Sequence, residues 1–127
     1  MTPKEVVGNV FSAFQRGDIP YILRQVAPAA MWRQSAMLPW GGEFHGPEGA
    51  GQFFSSLDAV METTAFAVDD MIESGEEVFA FGYYEGKARG TGRTAGARWA
   101  FRWRVVNGKI ELYDGHIDTA ALLGALN

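Results

Sequence analysis

The chain has 127 residues, 47% of them hydrophobic and 20% charged, with a formal net charge of -4, two histidines and no cysteine. That length holds one domain, residues 1–127, with a single core. An acidic balance without any basic run excludes a nucleic-acid partner gripped through its phosphates, and the missing cysteine excludes disulfides, thiolate nucleophiles and thiolate metal sites.

His45 and His116 are too few for a histidine-rich metal centre, so neither a metal nor another cofactor is expected. No apolar stretch approaches the roughly 20 residues that cross a bilayer, and the opening MTPKEVVGNVF lacks the pattern of a secretory leader. The expectation is a water-soluble, cytoplasmic chain with no membrane partner.

Val6, Val7, Val10, Phe11 and Phe14 recur at helical spacing, and Gly17 ends the run. Asp18 is placed to cap a second, shorter helix through Ile19, Ile22, Leu23 and Val26, with Pro20 in its first turn. Pro28 breaks that pattern. A short extended segment follows, Ala30 to Gln34, and then an irregular stretch from Ser35 to Gly46 that includes Pro39, Gly41 and Gly42. Loops of about a dozen residues inside compact domains are often binding or lid segments. The pair Pro47-Glu48 opens a third helix, Pro47 to Glu62, burying Phe53, Phe54, Leu57, Val60 and Met61.

The remainder reads as a β-meander over Thr64–Glu73, Val78–Arg89, Ala95–Val106 and Lys109–Ile117. Its turns are Ser74-Gly75, Gly90-Thr91-Gly92 and Asn107-Gly108, the last a strong hairpin signal because both residues tolerate positive φ. Asp118-Thr119 caps a short final helix through Leu122, Leu123 and Leu126. Helices first and long antiparallel strands after them describe an α+β domain. The glycine-rich Gly90–Gly96 stretch is no dinucleotide fingerprint, because a strand and not a helix follows it.

Strand alternation sets Trp99, Phe101, Trp103 and Val105 on one face and Arg98, Ala100, Arg102 and Arg104 on the other. In the short early segment Trp32 shares a face with Gln34. The last strand is ambiguous: Ile110, Leu112, Asp114 and His116 alternate with Glu111, Tyr113, Gly115 and Ile117, and a bulge would exchange the two sets partway. The stripe Trp99, Phe101, Trp103 either is plain core or borders a cavity, and a bent sheet leaves an open end where ligands bind.

These residues bear a family resemblance. Phe14-Gln15-Arg16-Gly17-Asp18-Ile19, Trp32, Pro39-Trp40-Gly41-Gly42-Glu43-Phe44-His45-Gly46, Trp99-Ala100-Phe101-Arg102-Trp103, Asn107-Gly108-Lys109-Ile110 and Asp118 to Leu123 follow one another as in SnoaL-like proteins. Those belong to the nuclear transport factor 2-like, ketosteroid isomerase-like superfamily. The resemblance implies a cone of curved, mostly antiparallel (mixed) sheet wrapped around N-terminal helices, a deep pocket, and a homodimer packed through the sheet. It leaves activity open, since one fold hosts many functions.

The catalytic positions of ketosteroid isomerases correspond here to Gln34, Val10 and Trp99, which carry none of the required groups. Those of the limonene-type epoxide hydrolases fall near Ala95–Arg98 and Gly115, where Arg98 is present but the carboxylates are not. SnoaL-like cyclases use an aspartate near the end of the last strand, which points to Asp114 or Asp118 with His116 beside them as general base. Each has a structural alternative: His116 bonded to nearby backbone, Asp118 capping the last helix, Asp114 paired with Arg102 or Arg104.

Pocket-lining candidates are Trp32, Gln34, Trp99, Phe101 and Trp103. Tyr83 and Tyr113 are the phenols within reach of a ligand oxygen, and Trp40 sits in the long loop as a lid or a dimer contact. The leading expectation is a protein that binds a small apolar or aromatic molecule. An enzyme abstracting a proton next to a carbonyl, and a non-catalytic dimerisation module with a filled core, are the alternatives.

Overall fold

The Thr2 hydroxyl accepts from the Glu5 amide while the Glu5 carboxylate accepts from the Thr2 amide, a reciprocal cap that starts α1 (Pro3–Gln15). A computed structural model describes residues 1–127. After α1 come α2 (Ile19–Arg24), β1 (Val26–Gln34), β2 (Gly42–His45), α3 (Gly46–Val60), β3 (Met61–Ser74), β4 (Glu77–Ala88), β5 (Thr94–Val106), β6 (Lys109–Ile117) and α4 (Thr119–Leu126). Asp18 and Asp118 cap α2 and α4 by accepting from the amides of Tyr21 and Ala121. No helix is long and apolar enough to cross a membrane.

The six strands form one mixed sheet in the order β2-β1-β6-β5-β4-β3. All neighbours are antiparallel except β1 and β6. Helix α3 packs against β1 and β2 and also against β3, at opposite ends of that order. One helix reaches both ends only if the sheet curls around it. Bulges in β3 between Thr63 and Ala65 and between Val68 and Asp70 add local twist to the curl. The concave face and helices α1 and α3 enclose the core, while the convex face carries charged residues.

Several boundaries differ from the sequence reading. The early strand is nine residues long and begins at Val26, so α2 stops two residues sooner. Pro28 is tolerated because pairing with β6 lapses between Val26 and Met31, leaving no ladder bond that its missing N–H would break. The stretch expected to be irregular, Ser35 to Gly46, holds a strand, β2, paired with β1 through Met31–His45 to Gln34–Gly42. Helix α3 ends at Val60, and Met61 and Glu62 belong to β3. The Asn107-Gly108 hairpin forms with φ of 51° and 76°, as a primed turn requires.

Candidate functional site

The concave face of β5 carries Ala97, Trp99, Phe101, Trp103 and Val105, all buried. Trp32 on β1 and Tyr113 on β6 stand in register opposite each other across the parallel pair. Their ring centroids are 4.5 Å apart. Trp103 lies 4.7 Å from Tyr113 and 5.7 Å from Trp32. The helices add Phe11, Phe14, Phe53 and Phe54 to the same cluster.

Between these rings remains a hollow of about 60 Å³. It is bordered by Trp32, Gln34, Trp40, Phe101, Trp103 and Tyr113, by Tyr84, and by residues of α1 and α3. The open, deep pocket implied by the resemblance is therefore largely filled: a dry cavity that takes a benzene ring is about 150 Å³. The hollow lies close to the surface. Phe14, Phe54, Leu57 and Phe66 border both it and a groove of about 870 Å³ on the surface, whose rim carries Gln15, Asp58, Glu62 and Arg89. Phe14, Phe54, Leu57 and Phe66 are only half-buried. They form the wall between inside and outside.

Gln34 is the one non-hydrophobic residue around the hollow. The Trp40 indole N–H donates to its Oε1 at 3.0 Å, and its Nε2 donates to Tyr113 Oη at 2.7 Å. Burial pushes the Tyr113 hydroxyl well above the ordinary phenol range. Gly115 makes room for this arrangement, since a Cβ there would stand 2.2 Å from Tyr113 Oη and 3.0 Å from Gln34 Cγ. The indole N–H groups of Trp32, Trp99 and Trp103 are buried without a partner. An unpaired buried donor costs about 1–3 kcal/mol.

The other candidates are dispersed. Trp99 borders the hollow only indirectly, stacked between Phe66 and Phe101 at centroid distances of 5.1 and 4.1 Å. Trp40 is buried against the hollow and not at the surface as a lid. Tyr83 lies on the convex face, 37% exposed, with its hydroxyl over Gly96. The phenol that reaches inward from β4 is its neighbour Tyr84, whose hydroxyl accepts from Thr63 Oγ1 at 3.2 Å. Alternation with Val78, Ala80 and Gly82 was the signal that distinguishes the two.

The proposed bases do not face the hollow. Glu111 is an extra residue in β6, since Arg104 pairs with Leu112 and Val105 with Ile110. Beyond that bulge Tyr113, Gly115 and Ile117 point inward, and Asp114 and His116 point to the convex face. His116 has a 73% exposed side chain and stands 3.3 Å from Asp114. Asp118 accepts the α4 cap bond. Asp114 pairs with neither Arg102 nor Arg104, which both bind Glu77. Arg33, its register partner on β1, donates to both carboxylate oxygens at 2.9 and 3.2 Å.

The Arg33 guanidinium holds the Asp114 carboxyl below the usual carboxylate range, His116 adds to the effect, and partial burial opposes it. A carboxyl that releases its proton more readily in the folded state stabilises the fold above the unfolded-state range, and that contribution is lost as pH falls through the folded value. Asp114→Asn is therefore expected to lower stability near neutral pH by about 1 kcal/mol, allowing for the solvent that screens Arg33. The difference from wild type is expected to close below about pH 4. Urea unfolding across a pH series measures it, and a constant difference down to acid pH would contradict the ion pair.

Residues 7–113 match the family model of the SnoaL-like domain. Among solved structures, an NTF2-like protein from Burkholderia thailandensis E264 is 28% identical, with a TM-score of 0.94 over 100% of this chain and 98% of that one. An NTF2-like protein of unknown function from Burkholderia pseudomallei K96243 is 30% identical, with a TM-score of 0.90 over 100% and 99%. TerC, co-crystallised with polyporic acid, shares the fold at 24% identity, with a TM-score of 0.88 over 98% and 97%. No curated protein matches the chain.

Proposed function

The chain belongs to the SnoaL-like domain family, and from that premise we propose that it binds a small, flat, largely apolar molecule between the sheet and helices α1 and α3. The observation that carries this reading is the hollow itself. Aromatic rings surround it, one amide is held rigidly at its wall, and side chains that a ligand can displace separate it from the surface groove. Flat rings suit such walls because offset and edge-on ring contacts add to the gain from burial.

Binding fits these walls better than proton abstraction. No carboxylate, imidazole or amine borders the hollow, and the buried Tyr113 phenol keeps its proton near neutral pH. A general base must come within hydrogen-bond reach of the proton it takes. Asp114, His116 and Asp118 are not placed to do so for a molecule in this hollow.

The closed hollow is smaller than a benzene ring needs, so ligand entry requires Phe14, Phe54, Leu57 or Phe66 to move. That requirement weakens apparent affinity by the fraction of time the wall is open. On adding indane or 1-indanone, the indole N–H resonances of Trp32, Trp40 and Trp103 in a proton–nitrogen correlation spectrum are expected to shift. Phe54→Ala, which removes part of the wall, is expected to tighten binding about tenfold. Unchanged indole resonances at saturating concentrations of both probes, in wild type and variant alike, would end this reading.

A further inference from the structure

Strand β3 is the last in the sheet order, and only β4 pairs with it. Of its 14 residues ten are exposed, so no neighbouring segment covers it. An edge strand turns half of its backbone N–H and C=O groups away from its one neighbour. Between Thr63 and Ser74 a single protein group outside β4 meets them: Gln15 Nε2 donates to the Phe66 carbonyl at 2.9 Å. The two bulges leave Ala65–Val68 and Asp70–Ser74 in unbroken register. At the opposite border of the sheet, β2 offers only four residues.

The side chains along this edge differ by face. Phe66, Val68 and Met71 stand opposite Tyr84, Gly82 and Ala80 on the inner side, and all three are half-buried. Asp70 stands opposite the exposed Phe81 on the convex side. Asp69 beside it reaches Arg98 of β5 at 3.3 Å. The strand carries four carboxylates, Glu62, Asp69, Asp70 and Glu73, and no Lys or Arg. Of the four only Asp69 has an ion-pair partner.

Charged edges keep identical chains apart. A second β3 laid against the first would set carboxylates against carboxylates. The same charge favours a partner of opposite sign. Side chains of a strand added here would alternate between the two faces. Those turned inward would rest on Phe66, Val68 and Met71, and those turned outward would meet Asp69 and Asp70.

We propose that the β3 edge from Ala65 to Ser74 is a docking surface for an extended segment of a partner protein in which apolar residues alternate with Lys or Arg. Backbone pairing attaches the segment, and the carboxylates select its sign of charge. Ligand binding in the hollow is not required for it.

Three peptides test it against the full-length protein: acetyl-Lys-Val-Lys-Val-Lys-Val-Lys-amide, its Glu counterpart, and the Lys peptide N-methylated at every backbone nitrogen. The methylated form keeps the charge and loses the backbone donors. In calorimetric titration at low salt the plain Lys peptide is expected to bind about tenfold or more tightly than either of the others. Asp70→Lys, at an exposed site, should weaken it about tenfold. Hydrogen exchange of the amides between Ala65 and Ser74 should slow when the Lys peptide is added. The proposal is overturned if the Lys peptide does not bind, if the Glu or methylated peptide binds as well, if Asp70→Lys leaves affinity unchanged, or if β3 gains no protection. Protection of β3 that rises with protein concentration in the absence of peptide would put a second copy on this edge, and overturns it as well.

Discussion

Trp32→Ala is expected to cost about 3–5 kcal/mol of unfolding free energy, the range for deleting a large buried aromatic. Trp32 is 1% exposed and lies within 6.1 Å, centroid to centroid, of Phe53, Phe54, Trp103 and Tyr113. Truncation strips one contact from each of those rings. No hydrogen bond is lost with it, since the indole N–H has no partner, so the loss comes from packing alone. For a domain whose whole stability is about 5–15 kcal/mol, this is a large fraction.

Chemical denaturation measures the effect, and a loss under about 1 kcal/mol would show that the rings are not close-packed. The variant also joins a new cavity to the existing hollow of about 60 Å³. The combined space approaches the volume that takes benzene. Benzene is therefore expected to raise the melting temperature of Trp32→Ala more than that of wild type.

Gly82→Ala is expected to destabilise by about 3 kcal/mol, at the upper end of the range for overpacking. Gly82 sits on the inner face of β4, in register with Trp99. A Cβ there would stand 2.1 Å from the Ala67 backbone oxygen and 2.3 Å from Trp99 Cζ2. The oxygen belongs to the neighbouring strand and cannot swing aside. The indole is clamped between Phe66 and Phe101. Strands β3 and β4 must part locally, or Trp99 must leave its stack. Thermal unfolding together with near-ultraviolet circular dichroism checks this: a wild-type aromatic signal and melting temperature would mean that the sheet yields more easily than its geometry implies.

Much of the fold is legible along the chain. Helical spacing of Val6, Val7, Val10, Phe11 and Phe14 marks α1. Alternation along β5 separates Trp99, Phe101 and Trp103 from the arginines. Both features depend on residues close in sequence, where period and side-chain direction are tied together. The short strand β2 escapes this reading because nothing local announces it. Its four residues, Gly42 to His45, become a strand only by pairing with β1.

The site is less legible than the fold, for the same reason. The indoles of Trp32 and Trp103, and Gln34 beside them, were identifiable by parity. Tyr113 was identifiable as a phenol but not by direction, since one inserted residue, Glu111, reverses the faces of β6. That reversal carries Asp114 and His116, the apparent bases, out to the convex side. The partner of Asp114 lies 81 positions away, at Arg33, and only a parallel pairing of the first and last strands brings them together.

By itself the chain of residues determined which segments are helix and strand, which aromatics are interior and which family pattern they follow, because those properties are written in local spacing. Only the tertiary structure decided which face of β6 looks inward, which donors are left unmatched and how much space the rings leave. Register and residual volume arise from contacts between distant segments, and a single bulge or a few ångströms of approach changes both.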